Sequence, residues 1–164
     1  MARRHRMIKA SPAAVWAVLA DGSKYADWVV GTESSEPVRG QWPEVGASLR
    51  YEVQLGPVHL TNETVVRYRE EGSLLELEAK AGPLGTARIS LQLRPWGDDC
   101  LVTVDEHPLN GAAGALHNFG LEAVIQLRHR AMLARLAHVC EDEQAHPKNA
   151  EDAARYRASG ARHA

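Results

Sequence analysis

A chain of 164 residues, 45% hydrophobic and 24% charged, has enough apolar material for one folded core and the composition of an ordinary globular protein. The net charge of −2, from 19 basic and 21 acidic side chains, excludes a strong field toward nucleic acid or anionic membrane. No uncharged apolar run approaches the ~20 residues of a membrane span.

The basic start MARRHRMIKA lacks the apolar stretch of a signal peptide. The two cysteines, Cys100 and Cys140, fit core filling in a reduced compartment, so a cytoplasmic location is expected. Residues 4–10 can form a short strand. Ser11-Pro12 then marks a helix start, a hydroxyl N-cap followed by proline at the first helical position. Val15, Trp16, Val18 and Leu19 make its apolar side, and Asp21-Gly22 ends it. A second short helix fits Ser23 to Trp28, with Tyr25 and Trp28 inward.

From there the pattern changes. Turn signals recur at Glu44-Val45-Gly46, Gly56-Pro57, Glu71-Gly72, Gly82-Pro83 and Trp96-Gly97-Asp98-Asp99. Between them apolar residues alternate with polar ones. Leu49, Tyr51, Val53 and Leu55 form one such set, Leu75, Leu77 and Ala79 another, and Ile89, Leu91 and Leu93 a third. One face is therefore buried and the other wet, as in an antiparallel meander covered on one side. The intervals are too short for crossover helices, which excludes a parallel sheet.

The longest helical pattern runs from Leu116 to about Glu141. At ~100° per residue, Leu116, Ala123, Val124, Leu127, Ala131 and Ala134 share one side. Leu121, Ile125, Met132, Leu136 and Val139 form a second apolar stripe. Between the stripes run His117, Arg128 and Arg135, while Glu122, Gln126 and His129 are expected to point away. Such a helix suits the cover of a cavity that is not wholly apolar. Residues 143–164 carry little to bury, and a disordered polar tail is expected after a single domain of residues 1–142.

Strand, two short helices, an antiparallel meander and a long C-terminal helix form the helix-grip layout. In it the sequence resembles the SRPBCC superfamily, which groups START domains, polyketide cyclases and aromatases, and pollen-allergen-like carriers. The resemblance spans about residues 4–142. It rests on Ala10-Ser11-Pro12 leading to Val15-Trp16, on Leu19-Ala20-Asp21, and on Trp28-Val29-Val30-Gly31-Thr32. Trp42-Pro43, Val45-Gly46, Gly56-Pro57, Asn62-x-Thr64-x-Val66, Glu106-x-Pro108, Arg128 and Leu133-x-x-Leu136 continue it. It implies an α+β helix-grip fold, an antiparallel sheet of about six to seven strands wrapped round the C-terminal helix. Within the superfamily the sequence is most similar to small bacterial proteins of polyketide cyclase/dehydrase type.

Strand alternation puts Tyr51, Asn62, Thr64, Tyr68 and Glu106 on the side of the inward apolar residues, with Leu77 and Leu91 beneath them. An apolar pocket with a few convergent polar groups is the usual form of a small-molecule site. Trp28 and Trp42 are candidates for its mouth, and His117, Leu121 and Arg128 for its helical wall. Each also has a purely structural reading: core rings for the tyrosines, mutual hydrogen bonds for Asn62 and Thr64, packing for the tryptophans, exposed imidazoles for His107 and His117. A further expectation is that Glu106 and Arg128 pair inside the domain, since each charge alone is costly to bury.

The histidines lack metal-site spacing, and neither a Gly-x-Ser-x-Gly elbow nor a Cys–His pair occurs, so no metal or cofactor is expected. Asn110-Gly111-Ala112-Ala113-Gly114 offers at most a weak anion site at a helix entry. The sequence therefore points to a carrier or sensor, monomer or homodimer, for a small hydrophobic or polyketide-like ligand, without nucleic-acid binding or membrane insertion. A cyclase/aromatase-like enzyme using Glu106 and His107 is the alternative, and a co-chaperone-like interaction module a second one.

Overall fold

The structure, a computed structural model, describes residues 2–55, 58–80, 85–110 and 119–146, and in the C-terminal helix the side chains from Leu127 onward. Strand β1 (Ala2–Ile8) leads to helix α1 (Pro12–Leu19), a 3-10 turn (Gly22–Lys24) and helix α2 (Tyr25–Trp28). Six strands follow: β2 (Thr32–Arg39), β3 (Ser48–Leu55), β4 (Val58–Glu70), β5 (Leu74–Lys80), β6 (Thr86–Trp96) and β7 (Asp99–Asn110). Helix α3 (Phe119–Ala145) closes the described fold.

Local chemistry accounts for the boundaries. The Ser11 hydroxyl accepts the Ala14 amide at 3.2 Å, and Pro12 opens α1 as its first helical residue. Asp21 caps the next turn by accepting the Ser23 amide at 3.0 Å. That tight turn makes Gly22–Lys24 a 3-10 segment, so α2 is only Tyr25–Trp28 rather than a helix from Ser23. Gly72 and Gly97, at φ of +76° and +61°, turn the chain between β4 and β5 and between β6 and β7.

The strands form one antiparallel sheet in the order β1-β7-β6-β5-β4-β3-β2. Only the first strand steps out of sequence, pairing with the last. Register shifts interrupt β2 twice, β4 between Val66 and Tyr68, and β6 between Thr86 and Ala87. Such bulges bend strands and increase twist, which curls the sheet round its apolar face. Leu49, Tyr51, Val66, Leu75, Leu77, Leu91, Val102 and Val104 are buried on that face.

Helix α3 packs along β1 and against α1 and α2. Its buried residues are His129, Met132, Leu133, Leu136, Ala137 and Cys140. Among the described side chains this is one stripe, at spacings of three and four. Of the other expected stripe, Leu127 is 66% exposed and Ala131 and Ala134 are half-buried, while the side chains of Leu116, Ala123 and Val124 lie outside the described residues. The helix runs past Asp142 to Ala145, which shortens the expected tail. Glu141 accepts the Lys9 amide at 3.0 Å and Glu143 pairs with Lys24, tying this last turn to the start of the fold. The remainder of the expected tail, like the Gly-rich stretch after Asn110, lies outside the described residues. No described helix is long and apolar enough to cross a membrane.

Candidate functional site

Strand β7 carries the first member of the site. Its alternation sends Val102, Val104 and Glu106 inward and Thr103, Asp105 and His107 outward. Glu106 is a carboxylate on an otherwise apolar row, with side-chain exposure of only 10%. The side chain that meets it comes from α3: His129 Nε2 lies 2.6 Å from Glu106 Oε2, and the imidazole is 2% exposed.

Burial pushes the Glu106 carboxyl up. The hydrogen bond from His129 and the positive charge of Arg128 outweigh it and hold the group below the usual carboxylate range. Glu106 is therefore a carboxylate at neutral pH. As an acceptor it requires the hydrogen on His129 Nε2, which leaves Nδ1 as the ring's other nitrogen. His129 Nδ1 has no hydrogen-bond partner among the described residues.

Two tyrosines extend the polar cluster. Tyr25 projects from α2 and is 3% exposed. Its ring meets Trp28 at 5.1 Å, Trp42 at 6.0 Å and Tyr51 at 5.4 Å. Burial pushes its hydroxyl far above the ordinary phenol range, Tyr51 adds to the shift, and a hydrogen bond with Thr64 and the charge of Arg128 oppose it. Tyr51 is raised for the same first reason. Glu106 adds to that shift, while Arg128 and the Asn62 amide, which sits directly across the β3–β4 ladder, oppose it. Both phenols stay protonated and can donate hydrogen bonds. Buried Thr64 also reaches the Glu78 carbonyl, at 3.5 Å.

Most candidates from the sequence lie on this inner side. Tyr51, Thr64, Leu77, Leu91 and Glu106 are buried, and Asn62 is half-buried beside Tyr51. Trp28 is buried too, and its Nε1 has no partner among the described residues. Trp42 is half-buried and donates from Nε1 to the Leu19 carbonyl at 3.0 Å. It lines an open groove of about 560 Å³ with Ala17, Ala20, Pro37 and Gln41. His117 lies outside the described residues, and Leu121 belongs to α3 with its side chain outside them.

Three expectations are corrected. Tyr68 is 44% exposed and bonds Glu70 on the outer face at 2.8 Å. The β4 bulge inserts one residue after Val66, so Tyr68 stands opposite outward Glu76 and the alternation inverts. His107 faces outward with Asp105, at 3.3 Å, and cannot work with Glu106. The buried partner of Glu106 is His129 and not Arg128, which is half-buried at the edge of the helix face and forms no ion pair with it. Tyr25 and His129 are the members that sequence reading missed. The row His129, Leu133, Leu136, Cys140, at i, i+4, i+7 and i+11, was the pattern that would have found the histidine.

Comparison with known proteins agrees with this architecture. The family model described as polyketide cyclase/dehydrase and lipid transport matches residues 2–141. Ara h 8.0201 superposes with a TM-score of 0.68 at 11% identity, over 85% of this chain and 96% of that one. Protein CV1439 from Chromobacterium violaceum gives 0.66 at 15% identity, over 85% and 96%. The Zhui aromatase/cyclase from Streptomyces sp. R1128 gives 0.63 at 18% identity, over 86% and 93%. No curated protein matches the sequence. At these identities the solved structures establish the helix-grip fold. With the family model spanning nearly the whole described fold, the chain belongs to the polyketide cyclase/dehydrase and lipid transport family of the SRPBCC superfamily.

Proposed function

We propose that this protein binds a small hydrophobic or amphipathic molecule between the inner face of its sheet and α3, as a carrier or sensor. The observation that supports it most is a buried polar cluster with an open valence. A core built only for stability pairs its polar atoms. Here His129 Nδ1 and Trp28 Nε1 are buried without a described partner, in the same core as protonated Tyr25 and Tyr51 and apolar Leu49, Leu77 and Leu91. A ligand with an apolar body and a polar end satisfies both sets.

Thermal denaturation against fatty acids, isoprenoids and aromatic polyketides tests the proposal. A ligand at ~100 times its dissociation constant contributes about 2.7 kcal/mol of stability. The emission of buried Trp28 is expected to change with it. No thermal shift with any of the three classes would refute the reading.

The Glu106–His129 pair favours one second reading, a cyclase-like enzyme. A carboxylate that holds Nε2–H orients the ring and makes Nδ1 a proton acceptor, as general acid–base chemistry requires. Nδ1 would take the proton alpha to a ligand carbonyl and return it to a departing hydroxyl during dehydration. His129→Gln would then abolish turnover of a poly-β-ketone while retaining its binding. Equal turnover in that variant would exclude this role.

A further inference from the structure

Arg128 differs from the arginines of the outer face. Arg3, Arg50 and Arg67 are each paired, with Asp105, Glu36 and Glu78 respectively. Arg128 has neither an ion pair nor a hydrogen bond among the described residues. Yet it is half-buried and lies one turn before Met132 on the row Arg128, Met132, Leu136, Cys140, whose other members are all buried. Its charge acts on Tyr25, Tyr51 and Glu106, the polar groups of the inner cluster. A cation that reaches an interior cluster has an obvious partner in Glu106, but that carboxylate meets His129 and forms no ion pair with Arg128.

We propose that Arg128 anchors the anionic end of the ligand, which makes the ligand class an amphipathic carboxylate rather than a neutral lipid or alcohol. This rests on the ligand-binding reading above and adds its charge. The guanidinium fork matches a carboxylate with two parallel hydrogen bonds, and half-burial strengthens them relative to open water. The Tyr25 and Tyr51 hydroxyls, held protonated, are further donors in reach of the same field. Glu106 opposes an anion by like charge. Its pairing with His129 offsets part of that charge. The apolar body of the ligand would then lie toward Leu77 and Leu91, away from the charged edge of α3.

The test uses matched probes that differ in charge only at one end: dodecanoate against 1-dodecanol, and 2-naphthoate against 2-naphthylmethanol. Dissociation constants are measured at neutral pH by tryptophan emission and calorimetry, with circular dichroism to verify folding. For the wild type, one charge-assisted pairing predicts that each acid binds about tenfold or more tightly than its alcohol. Arg128→Gln is expected to bring that ratio near one while leaving the alcohols unchanged. Arg128→Lys keeps the charge without the fork, so it is expected to retain part of the preference, and it stands in should Arg128→Gln not fold. Acid and alcohol binding equally to the wild type, or a preference that survives Arg128→Gln, would overturn the anchor and leave the pocket reading intact, since the alcohols still report it. Binding of none of the four probes would overturn both.

Discussion

Asp105 and Glu106 are adjacent on β7, carry the same charge and lie in different surroundings. Asp105 faces outward and takes two hydrogen bonds from Arg3, at 2.9 and 2.7 Å, from a side chain that is 65% exposed. Glu106 faces inward and meets the single, buried nitrogen of His129. Asp105 is itself only 12% exposed, but its partner reaches it from solvent, where water and salt can take part of that partner's place. Inside, nothing apolar can replace it, and the pair exists because each group would be costly alone. The outer face of the sheet therefore carries interchangeable charges, Arg67 with Glu78 and Arg50 with Glu36 among them. Charge on the inner face requires a specific partner and a reason to be there, and we take that reason to be a ligand.

The largest expected effect comes from breaking the inner pair. His129→Leu leaves a buried carboxylate uncompensated and is expected to cost about 3 kcal/mol in denaturant melts. Adding Glu106→Leu to it should recover much of the loss, because the pair is then removed whole. A double variant as unstable as the single one would mean that packing, not charge, dominates there.

Acid provides the next contrast. The folded-state pKa of Glu106 lies below its ordinary value, so its contribution to stability is complete above the ordinary glutamate range. It is lost as pH falls through the lower, folded value. Glu78 is depressed as well, chiefly by its hydrogen bonds from Arg67, and burial opposes the shift. Salt separates the two, since it screens the outward Arg67–Glu78 pair, whose arginine is 44% exposed, more than Glu106. The acid-induced loss that persists in high salt is expected to shrink in Glu106→Gln and not in Glu78→Gln. Equal losses in both variants would erase the distinction between the faces.

Smaller effects belong outside. Arg50→Ala, which breaks a pair exposed on both sides, is expected to cost less than about 1 kcal/mol. Tyr68→Ala, on the outer face after the bulge, should change stability by no more than about 0.5 kcal/mol beyond the loss of strand propensity. A cost of several kcal/mol at Tyr68 would place its ring back in the core and contradict the inverted alternation.

Much of this fold was legible because period-2 patterns and turn residues act locally. Leu75, Leu77 and Ala79 are buried as their alternation requires, and the Ser11-Pro12 cap starts α1 where the sequence suggests. The site was less legible, for two physical reasons. A bulge adds one residue without any change in composition, so Tyr68 reads as inward until its partner strand is known. On α3, counting only apolar residues places His129 opposite the stripe of Met132 and Leu136, whereas its buried row is completed by Leu133 and Cys140. A histidine among those residues reads as a surface side chain until the carboxylate across from it is located. Arg128 was correctly sensed as unusual and wrongly paired, because helix position shows the edge of a face but not which acid another residue has already taken.

The central claim is that the polar cluster round Glu106 and His129 is where a ligand binds. Nitrogen NMR of the histidine rings, recorded with and without a bound amphiphile, tests it most directly. The account predicts that His129 Nε2 stays protonated throughout, that the Nδ1 resonance moves on binding, and that outward His107 is unaffected. A saturable ligand that leaves His129 unchanged while shifting His107 would place binding on the outer face and contradict it.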